Sequence, residues 1–271
     1  MTMINHTATG GGAPPLVFVH GFACAQGDWD AQVAHLSGQH RTVAVELRAH
    51  GASPGTARDC SIERFGADVA EVMRGLALPP AILVGHSMGC RVVIEAALQA
   101  PRHTAAVVLV DGSQFAPAME AVLQQRLATA AGFAAATRAL FEDMFTPASD
   151  RATAIAVIER AGRLPPEIGA RLLLDLVRYD IHRLEHSLAA LRVPVMVLQT
   201  TFSNEKRERK SLVPGQTTPY LEMVRAKVPA ARIEIIPRVG HFPQLDAPGE
   251  TNAMLASFAA SLWAERIVPI P

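Results

Sequence analysis

Short, continuous apolar runs alternate with segments of helical periodicity over the first part of the chain. The apolar runs cover residues 16–20, 42–47, 81–84 and 105–110, and they have the length of strands. Continuous rather than alternating apolar character is typical of strands that are buried on both faces of a parallel sheet. Between these runs, apolar residues recur every three or four positions, as on one face of a helix. The alternation predicts an α/β fold with a doubly wound, mostly parallel sheet.

The pattern changes between residues 113 and 192. Apolar residues keep the three- and four-residue spacing of helices there, and prolines interrupt the pattern at Pro147 and at Pro165-Pro166. No convincing strand-like run occurs in this segment. We therefore predict a core formed by residues 1–112 and 193–271, with residues 113–192 as a helical insertion.

The last part of the chain returns to strand-like runs at residues 193–198 and 232–236 and ends in a predicted helix over about residues 249–263. Residues 203–211 carry charges of both signs, which is typical of a solvated loop. Residues 1–15 are polar and rich in glycine and proline, so we expect an arm with at most one weak strand.

One apolar run continues into a glycine-flanked serine, Gly85-His86-Ser87-Met88-Gly89, after which helical spacing begins. Glycine carries no Cβ, so the two glycines allow a sharp turn and a close approach of strand and helix. The amino end of the following helix would offer N–H groups and a positive dipole end to a developing anion. Two interpretations are open: an ordinary strand-to-helix turn, or a turn that exposes Ser87 as a nucleophile.

Composition narrows the classes of function. Of the 271 residues 49% are hydrophobic, enough for a large core, and 25 Lys and Arg residues balance 25 Asp and Glu residues. This balance argues against a nucleic acid or a membrane as the partner and favours a small neutral molecule. The scattered Cys24, Cys60 and Cys90 predict neither a disulfide framework nor a zinc site. The N-terminus is not signal-like and no apolar run has membrane length, so the sequence predicts a cytoplasmic protein.

Four motifs follow predicted strands. They are His20-Gly21-Phe22, the stretch over residues 48–53, Gly85-His86-Ser87-Met88-Gly89, and Gly240-His241-Phe242-Pro243. In this order the chain resembles the α/β-hydrolase family, and the resemblance spans about residues 16–263. It implies the α/β-hydrolase fold, in which the helical insertion lies over the mouth of the site as a cap.

The resemblance also implies the parts of a serine hydrolase site. A serine hydroxyl is inert near neutral pH unless a base takes its proton, and the implied pair is Ser87 as nucleophile with His241 as base. The backbone N–H groups of Phe22 and Met88 are the implied oxyanion hole. No metal or cofactor is implied.

The residue that would orient His241 is left open between Asp111, Asn204 and Glu205. Many relatives carry an aspartate in the loop after the next strand of the sheet, but residues 199–205 contain none. Asp111 ends the preceding strand, a position that the fold tolerates, although an Asp-Gly pair is also ordinary turn chemistry. An asparagine would orient the imidazole without charge.

Aromatic and long apolar side chains of the insertion are expected to form the interior of the cap and part of the wall of the site. The candidates for substrate contact are Phe115, Met119, Phe141 and Phe145. An apolar wall favours an apolar acyl chain or ring and helps to exclude water. We therefore predict an esterase or lactonase that cleaves a small apolar ester or lactone through an acyl-enzyme intermediate.

Two other functions share these motifs. Cofactor-free haloperoxidases resemble this chain and use the same triad to make a peracid, and a ligand receptor can keep the hydrolase shell without its chemistry. Peroxide-dependent bromination in the presence of acetate would favour the first. Failure of Ser87 to react with a fluorophosphonate probe would favour the second. The sequence pattern does not predict an oligomeric state.

Overall fold

The computed structural model describes residues 3–204 and 208–267. Its strands are β1 (His6–Thr9), β2 (Leu16–Val19), β3 (Thr42–Val45), β4 (Ala81–His86), β5 (Thr104–Val110), β6 (Val195–Gln199), β7 (Thr201–Ser203), β8 (Arg209–Ser211) and β9 (Arg232–Ile235). Seven of them form one sheet in the order β1-β3-β2-β4-β5-β6-β9, and β7 pairs with β8 separately. The sheet is therefore the mostly parallel one that the sequence predicts.

Helices cover both faces of the sheet and fill the insertion. They are α1 (Asp30–Leu36), α2 (Ile62–Gly75), α3 (Met88–Gln99), α4 (Met119–Arg126), α5 (Ala130–Glu142), α6 (Arg151–Ala161), α7 (Pro166–His182), α8 (Leu184–Ala190), α9 (Pro219–Lys227), α10 (Pro243–Asp246) and α11 (Pro248–Ile267). Of these helices, none combines the length and the apolar character that a bilayer crossing requires within residues 3–204 and 208–267.

Strands β2 and β4 occupy the centre of the sheet. Val17 of β2 lies beside Val43 of β3 on one side and beside Leu83 of β4 on the other, all in parallel register. Only β1, at the edge, runs antiparallel to its neighbour β3. Central parallel strands are covered on both faces, which explains why their side chains are apolar without alternation.

The two faces of the sheet bury separate sets of side chains, because successive residues of a strand point in opposite directions. Leu16 and Phe18 belong to a cluster with Trp29 and with Leu255 of α11. Val17 and Val19 belong to the larger cluster that contains α2, α3 and much of the insertion. The result is a three-layer α/β/α arrangement in which β4 is buried along its whole length.

Helix α2 begins where the sequence indicates. The Ser61 hydroxyl accepts a hydrogen bond from the backbone N–H of Arg64, as a helix N-cap does. Such a cap typically contributes about 1 kcal/mol. Thr129 and Asp150 cap α5 and α6 in the same way.

Residues 113–192 contain helices α4 to α8 and no strand, as the periodicity predicts. They connect β5 to β6 and contact the core through buried polar groups. Asp180 of α7 forms an ion pair with Arg91 of α3, and Tyr179 donates a hydrogen bond to the Glu95 carboxylate over 2.8 Å. That these helices act as a cap over a substrate stays a prediction.

The predicted solvated loop over residues 203–211 is wrong in part. Strands β7 and β8 pair as an antiparallel hairpin, with Thr201 opposite Ser211. Backbone pairing therefore directs part of this charged segment against the core. Residues 205–207, and with them Glu205, lie outside the described residues. Elsewhere the differences are small: the N-terminal arm provides β1, and the final helix begins one residue earlier and extends further than predicted.

Candidate active site

The parallel strands bring five chain segments to one edge of the sheet. The carboxyl ends of parallel strands share an edge, which is where such folds build their sites. The segments that follow β2, β4, β5, β6 and β9 contain, respectively, Phe22, Ser87, Asp111, Thr200 and His241. Residues far apart in the sequence can therefore meet there.

Ser87 lies at the turn between β4 and α3 with an unusual backbone conformation. Its φ is 54° and its ψ is −116°, outside the regions that side chains other than glycine favour. Such a conformation costs about 1–3 kcal/mol and persists only where the surroundings enforce it. The backbone N–H of Ser87 donates to the carbonyl oxygen of Val110 over 2.9 Å, which ties the turn to β5.

Close packing explains the two glycines of this turn. A Cβ on Gly85 would lie 2.2 Å from the carbonyl oxygen of Gly89, and a Cβ on Gly89 would lie 2.6 Å from that of Val19. Neither position has room for a side chain. The segment after β2 passes directly over the serine, since a Cβ on Gly21 would lie 3.2 Å from the Cβ of Ser87.

His241 contacts Ser87 directly. Its Nε2 lies 2.8 Å from the Ser87 hydroxyl oxygen, although 154 positions separate the two residues. Two backbone hydrogen bonds fix the loop that carries the imidazole. The N–H of His241 donates to Met144 over 2.8 Å, and its carbonyl oxygen accepts from His86 Nε2 over 2.7 Å. His86 therefore packs beside the serine and also holds the backbone of His241 by a hydrogen bond.

Asp111 lies on the other side of the imidazole. Its Oδ2 is 2.6 Å from His241 Nδ1, and the same oxygen accepts the Thr201 hydroxyl proton over 2.5 Å. Its Oδ1 accepts the backbone N–H groups of Thr200 and Thr201 over 2.7 and 2.8 Å. Four donors thus surround a side chain that is only 1% exposed. Because this network fixes the carboxylate, Asp111 is held rigidly against the imidazole.

The pKa values of this pair decide where the protons lie. Burial alone would raise the pKa of Asp111, but the hydrogen bond and charge of His241, together with Arg209, hold it below its ordinary value. Burial and the nearby Arg209 charge lower the pKa of His241 to about 4, against the opposing effect of Asp111. At neutral pH the carboxylate is ionised and the imidazole neutral. Its single proton is then on Nδ1, and the Nε2 lone pair faces Ser87.

Of the other two candidates for the acid, Asn204 forms its side-chain hydrogen bonds elsewhere. Asn204 is half-buried, and its side chain bonds to Glu208, with Nδ2 donating over 3.1 Å and Oδ1 accepting over 2.9 Å. Glu205 lies outside the described residues. Among the three residues that the sequence left open, the structure brings Asp111 to His241.

Arg209, which sequence reasoning assigned to a solvated loop, lies beside this group. Its Nη1 is 2.8 Å from the Thr201 hydroxyl, 3.2 Å from His241 Nδ1 and 3.9 Å from Asp111 Oδ2. Its side chain is 14% exposed. Charge alone favours a solvated loop here, and only the pairing of β7 with β8 turns this side chain inward. No local pattern therefore identifies it.

Two backbone donors near the serine have no partner. The N–H groups of Phe22 and Met88 donate to no other described residue. Met88 is the first residue of α3, where helical N–H groups lack intrahelical acceptors. Both residues are buried. Since unpaired buried N–H groups are rare, these two are available for an anion at Ser87.

A small pocket opens at Ser87. Its lining is mostly apolar and also includes two arginines; the lining residues are Phe22, Cys24, His86, Ser87, Arg91, Ser113, Phe115, Leu140, Phe141, Met144, Leu173, Leu176, Arg209, His241 and Phe242. Phe115 and Phe141, two of the predicted substrate contacts, line this pocket, and their contact with a substrate stays a prediction.

Two predicted substrate contacts are not part of this lining. Met119 lies at the start of α4, and Phe145 stacks on Phe242 with ring centroids 5.0 Å apart. Phe145 therefore supports a pocket residue rather than facing the pocket itself.

The cysteines near the site are buried thiols. Burial raises the pKa of Cys90 to about 12, and its thiol lies 3.1 Å from the carbonyl oxygen of Gly85. Burial also raises the pKa of Cys24. Neither thiol is available as a thiolate at neutral pH. In the part of the chain that the structure describes, no group of three or more His, Cys, Asp and Glu side chains is arranged to hold a metal ion.

Known proteins share this fold and length. The chain is 32% identical over 267 residues to a pimeloyl-[acyl-carrier protein] methyl ester esterase from Methylococcus capsulatus, covering 93% of this chain and 97% of the relative. A thermophilic esterase from Thermogutta terrifontis superposes with a TM-score of 0.80 at 20% identity, covering 96% of this chain and 93% of the other. An enol-lactonase from Burkholderia xenovorans superposes with a TM-score of 0.77 at 18% identity, covering 95% of this chain and 96% of the other. At these identities the structural likeness shows the fold alone.

The sequence profile of the alpha/beta hydrolase family matches residues 16–254. This range contains the serine turn, the aspartate after β5 and the histidine after β9. It also contains all of the inserted helices. By this match, and by its likeness to a full-length relative, the chain belongs to the alpha/beta hydrolase family.

Proposed function

We propose that the protein is a serine hydrolase that cleaves carboxylic esters or lactones through an acyl-enzyme intermediate. The observation that carries the proposal is the continuous contact from Asp111 through His241 to Ser87. Asp111 Oδ2 lies 2.6 Å from His241 Nδ1, and His241 Nε2 lies 2.8 Å from the Ser87 hydroxyl oxygen. Its ester-hydrolase relatives and their lactonase neighbour make this reaction class the best supported one.

Acylation follows from the protonation states at the site. The Ser87 oxygen forms a bond to the substrate carbonyl carbon while its proton moves to His241 Nε2. Asp111 stabilises the resulting imidazolium and keeps its Nδ1 proton directed away from the reaction. The tetrahedral intermediate then expels the alkoxide, which takes the proton from Nε2 and leaves as the alcohol.

Deacylation repeats these steps with water. His241 removes a proton from water, the new oxygen–carbon bond forms, and the serine oxygen leaves with the proton returned by the imidazole. A lactone gives one hydroxy acid as product, because its alcohol and acid belong to the same molecule. An ester releases its alcohol first.

The N–H groups of Phe22 and Met88 are the proposed oxyanion hole. In each tetrahedral intermediate the carbonyl oxygen becomes negative, and backbone donors that are already oriented stabilise it without reorganisation. The positive end of α3 acts in the same direction. Loss of one such donor typically costs about two to three orders of magnitude in rate.

The inserted helices are proposed to form a cap that binds the acyl part of the substrate. Phe115, Leu140 and Phe141 contribute the apolar wall above Ser87. Exclusion of water from such a pocket strengthens the electrostatic contacts at the reacting atoms. Substrates whose acyl part presents hydrocarbon next to the scissile carbonyl fit this arrangement.

The experiment compares wild type with Ser87→Ala on p-nitrophenyl esters and on lactones of increasing acyl length. We expect turnover to fall to the background rate in Ser87→Ala, while Ser257→Ala, which changes an exposed serine of α11, keeps wild-type rates. A fluorophosphonate probe should label wild type at Ser87, as identified by peptide mass spectrometry. Wild-type turnover by Ser87→Ala, or no labelling of Ser87, would refute the proposal, and the latter result would favour a receptor.

A further inference from the structure

Three buried or half-buried arginines of the protein each donate to both oxygens of one carboxylate. Arg48 donates to both oxygens of Asp68 over 2.6 and 2.9 Å, and Arg91 donates to both oxygens of Asp180 over 2.7 and 3.0 Å. Arg160 does the same with Asp28, over 2.7 Å to each oxygen. Charge-assisted pairs of this kind offset the cost of removing a guanidinium from water.

Arg209 has no such partner among the described residues. The carboxylate closest to its guanidinium is Asp111, at 3.9 Å, and Asp111 already accepts from His241, Thr200 and Thr201. The guanidinium donates to one neutral hydroxyl, that of Thr201. Its Nε is buried and bonds to nothing in residues 3–204 and 208–267.

The Asp143 carboxylate does not change this picture. It accepts from the backbone N–H of Arg209, over 3.2 and 3.4 Å, rather than from the guanidinium. Asp143 therefore fixes the strand that carries Arg209, and no other carboxylate in the described part of the chain forms a hydrogen bond with the guanidinium.

A comparison with Arg48 shows how a hydrogen-bonded carboxylate changes the environment of a guanidinium. Both side chains are 14% exposed. The hydrogen-bonded Asp68 raises the pKa of Arg48 above its ordinary value, whereas burial lowers the pKa of Arg209. A buried cation that has no hydrogen-bonded carboxylate among the described residues is costly, and such a group is a candidate for binding a ligand anion.

Arg209 is also placed where a substrate would be. It lines the same pocket as Ser87, and a single imidazole ring, that of His241, separates its guanidinium from the serine hydroxyl. The second arginine of the pocket, Arg91, is occupied by Asp180. Most other lining residues are apolar, so a bound molecule would meet one cation at one end and hydrocarbon along its length.

We propose that Arg209 binds a carboxylate of the substrate, and that the substrates are short esters or lactones that carry a second, ionised carboxyl group a few bonds from the scissile carbonyl. This inference rests on the proposed function, since it names the substrate class of the same site. A guanidinium suits a carboxylate because two parallel N–H···O bonds can form.

The bound carboxylate would assist the reaction as well as binding. Proton transfer from Ser87 makes His241 an imidazolium, whose Nδ1 lies 3.2 Å from the Arg209 guanidinium. Two neighbouring cations repel each other, and an anion on Arg209 reduces this repulsion. Arg209 is in this respect a specificity-determining residue whose effect appears in kcat as well as in KM.

The kinetic test uses pairs of substrates that differ in charge. Monomethyl esters of succinate, glutarate and adipate are compared with uncharged methyl esters of similar length, such as methyl hexanoate. In wild type we expect kcat/KM for the preferred hemiester to exceed that for its uncharged counterpart by at least about tenfold, which is the scale of one buried charge-assisted contact. Arg209→Met should remove this preference, and Arg209→Lys should retain part of it.

Two controls make the comparison specific to the guanidinium. Lys210→Met removes a positive charge from the next residue of β8, whose side chain is exposed and pairs with Glu208, and it should leave the preference unchanged. Thermal unfolding shows whether Arg209→Met folds; removal of an uncompensated buried charge should not lower its melting temperature. A wild-type enzyme without preference, or equal losses on charged and uncharged esters in Arg209→Met, would overturn the inference.

A binding measurement separates this inference from the proposed function. Titration calorimetry with monomethyl glutarate is carried out on Ser87→Ala and on Ser87→Ala/Arg209→Met, neither of which can turn the ligand over. Binding that weakens at least about tenfold on loss of Arg209 supports the carboxylate subsite, even if wild type showed no hydrolysis. Equal affinity in the two variants overturns it, even if Ser87 is labelled and cleaves uncharged esters.

Discussion

Asp111 shows how much of the site depends on a single residue. It ends β5 with a positive φ of 44°, a conformation that side chains rarely adopt. This conformation lets one carboxylate contact His241 and also accept the two backbone N–H groups that follow β6. The residue therefore positions the imidazole and fixes the start of the β7–β8 hairpin. An ordinary Asp-Gly turn and the proposed role in the triad are compatible at this position.

Asp111→Asn should lower kcat by about four orders of magnitude with little change in KM. The amide can donate to Nδ1, which favours the wrong imidazole tautomer and removes the charge that stabilises the imidazolium. Initial rates of p-nitrophenyl ester hydrolysis at varied substrate concentration give kcat and KM for both proteins. Asp59→Asn, at an exposed carboxylate beside Thr56, is the matched control and should act as wild type. A variant with near-normal kcat would transfer the role to Asn204 or Glu205, to be tested by their alanine variants.

The pH dependence of the reaction reflects the charges that face His241. These are Asp111 at the end of β5, Arg209 on β8, Arg91 on α3 and the neutral His86 at the end of β4. Burial, together with the Arg209 charge, lowers the pKa of His241 to about 4, so the imidazole stays neutral and competent as a base well below neutral pH. We expect kcat/KM for an uncharged ester to fall only near pH 4.

Arg209→Met should move this acidic limb to higher pH, because loss of a neighbouring positive charge makes protonation of His241 easier. The measurement is kcat/KM for methyl hexanoate from about pH 3.5 to 8. This range includes both the ordinary pKa of histidine and the lowered pKa of His241. Lys210→Met should give a profile that superimposes on that of wild type. An acidic limb that stays in place, or moves to lower pH, would contradict the electrostatic role of Arg209.

At the scale of elements, the pattern that predicts most is the continuous apolar strand. The runs at residues 81–84 and 105–110 correspond to β4 and β5, because a strand buried on both faces must be apolar throughout. Once the strands are known to be parallel, their carboxyl ends must share one edge, which brings Ser87, Asp111 and His241 together. The fold and the positions of Ser87 and His241 are thus largely predictable from local sequence, whereas the same argument does not choose between Asp111, Asn204 and Glu205, since all three follow a parallel strand.

The β7–β8 hairpin marks the limit of such predictions. Thr201 pairs with Ser211 across a turn that is rich in charge, and this pairing buries most of the Arg209 side chain. Composition of the segment favours solvent exposure. Arg209 is buried instead because the segment contacts Asp111 and Asp143, which lie far away in the sequence. Phe145 is similar: its apolar character predicts burial, but only the packing of Phe242 decides that it supports the pocket instead of lining it.

Over the whole molecule, the inserted helices and the core are connected at the site itself. The segment after α5 supplies the carbonyl oxygen of Met144 to the His241 N–H, and Ser149 donates to Asp246 of α10 over 2.8 Å. The same segment contacts Arg209 through Asp143. Any displacement of this segment therefore acts on the imidazole and on the guanidinium together. The ion pair between Arg91 and Asp180 holds α7 against α3 below the same pocket.

Asp180→Asn should destabilise the protein by about 3–5 kcal/mol, because it leaves Arg91 as an uncompensated charge in a buried position. Arg91 and Asp180 have side chains that are 2% and 0% exposed, so solvent cannot replace the lost partner. The free energy of unfolding in urea measures this loss. Glu142→Gln, in the exposed pair with Arg138, is the matched control and should change stability little. The double variant Arg91→Met/Asp180→Leu removes both charges and should recover much of the lost stability. If the double variant were less stable than Asp180→Asn, the pair would stabilise the protein beyond each charge offsetting the burial cost of the other.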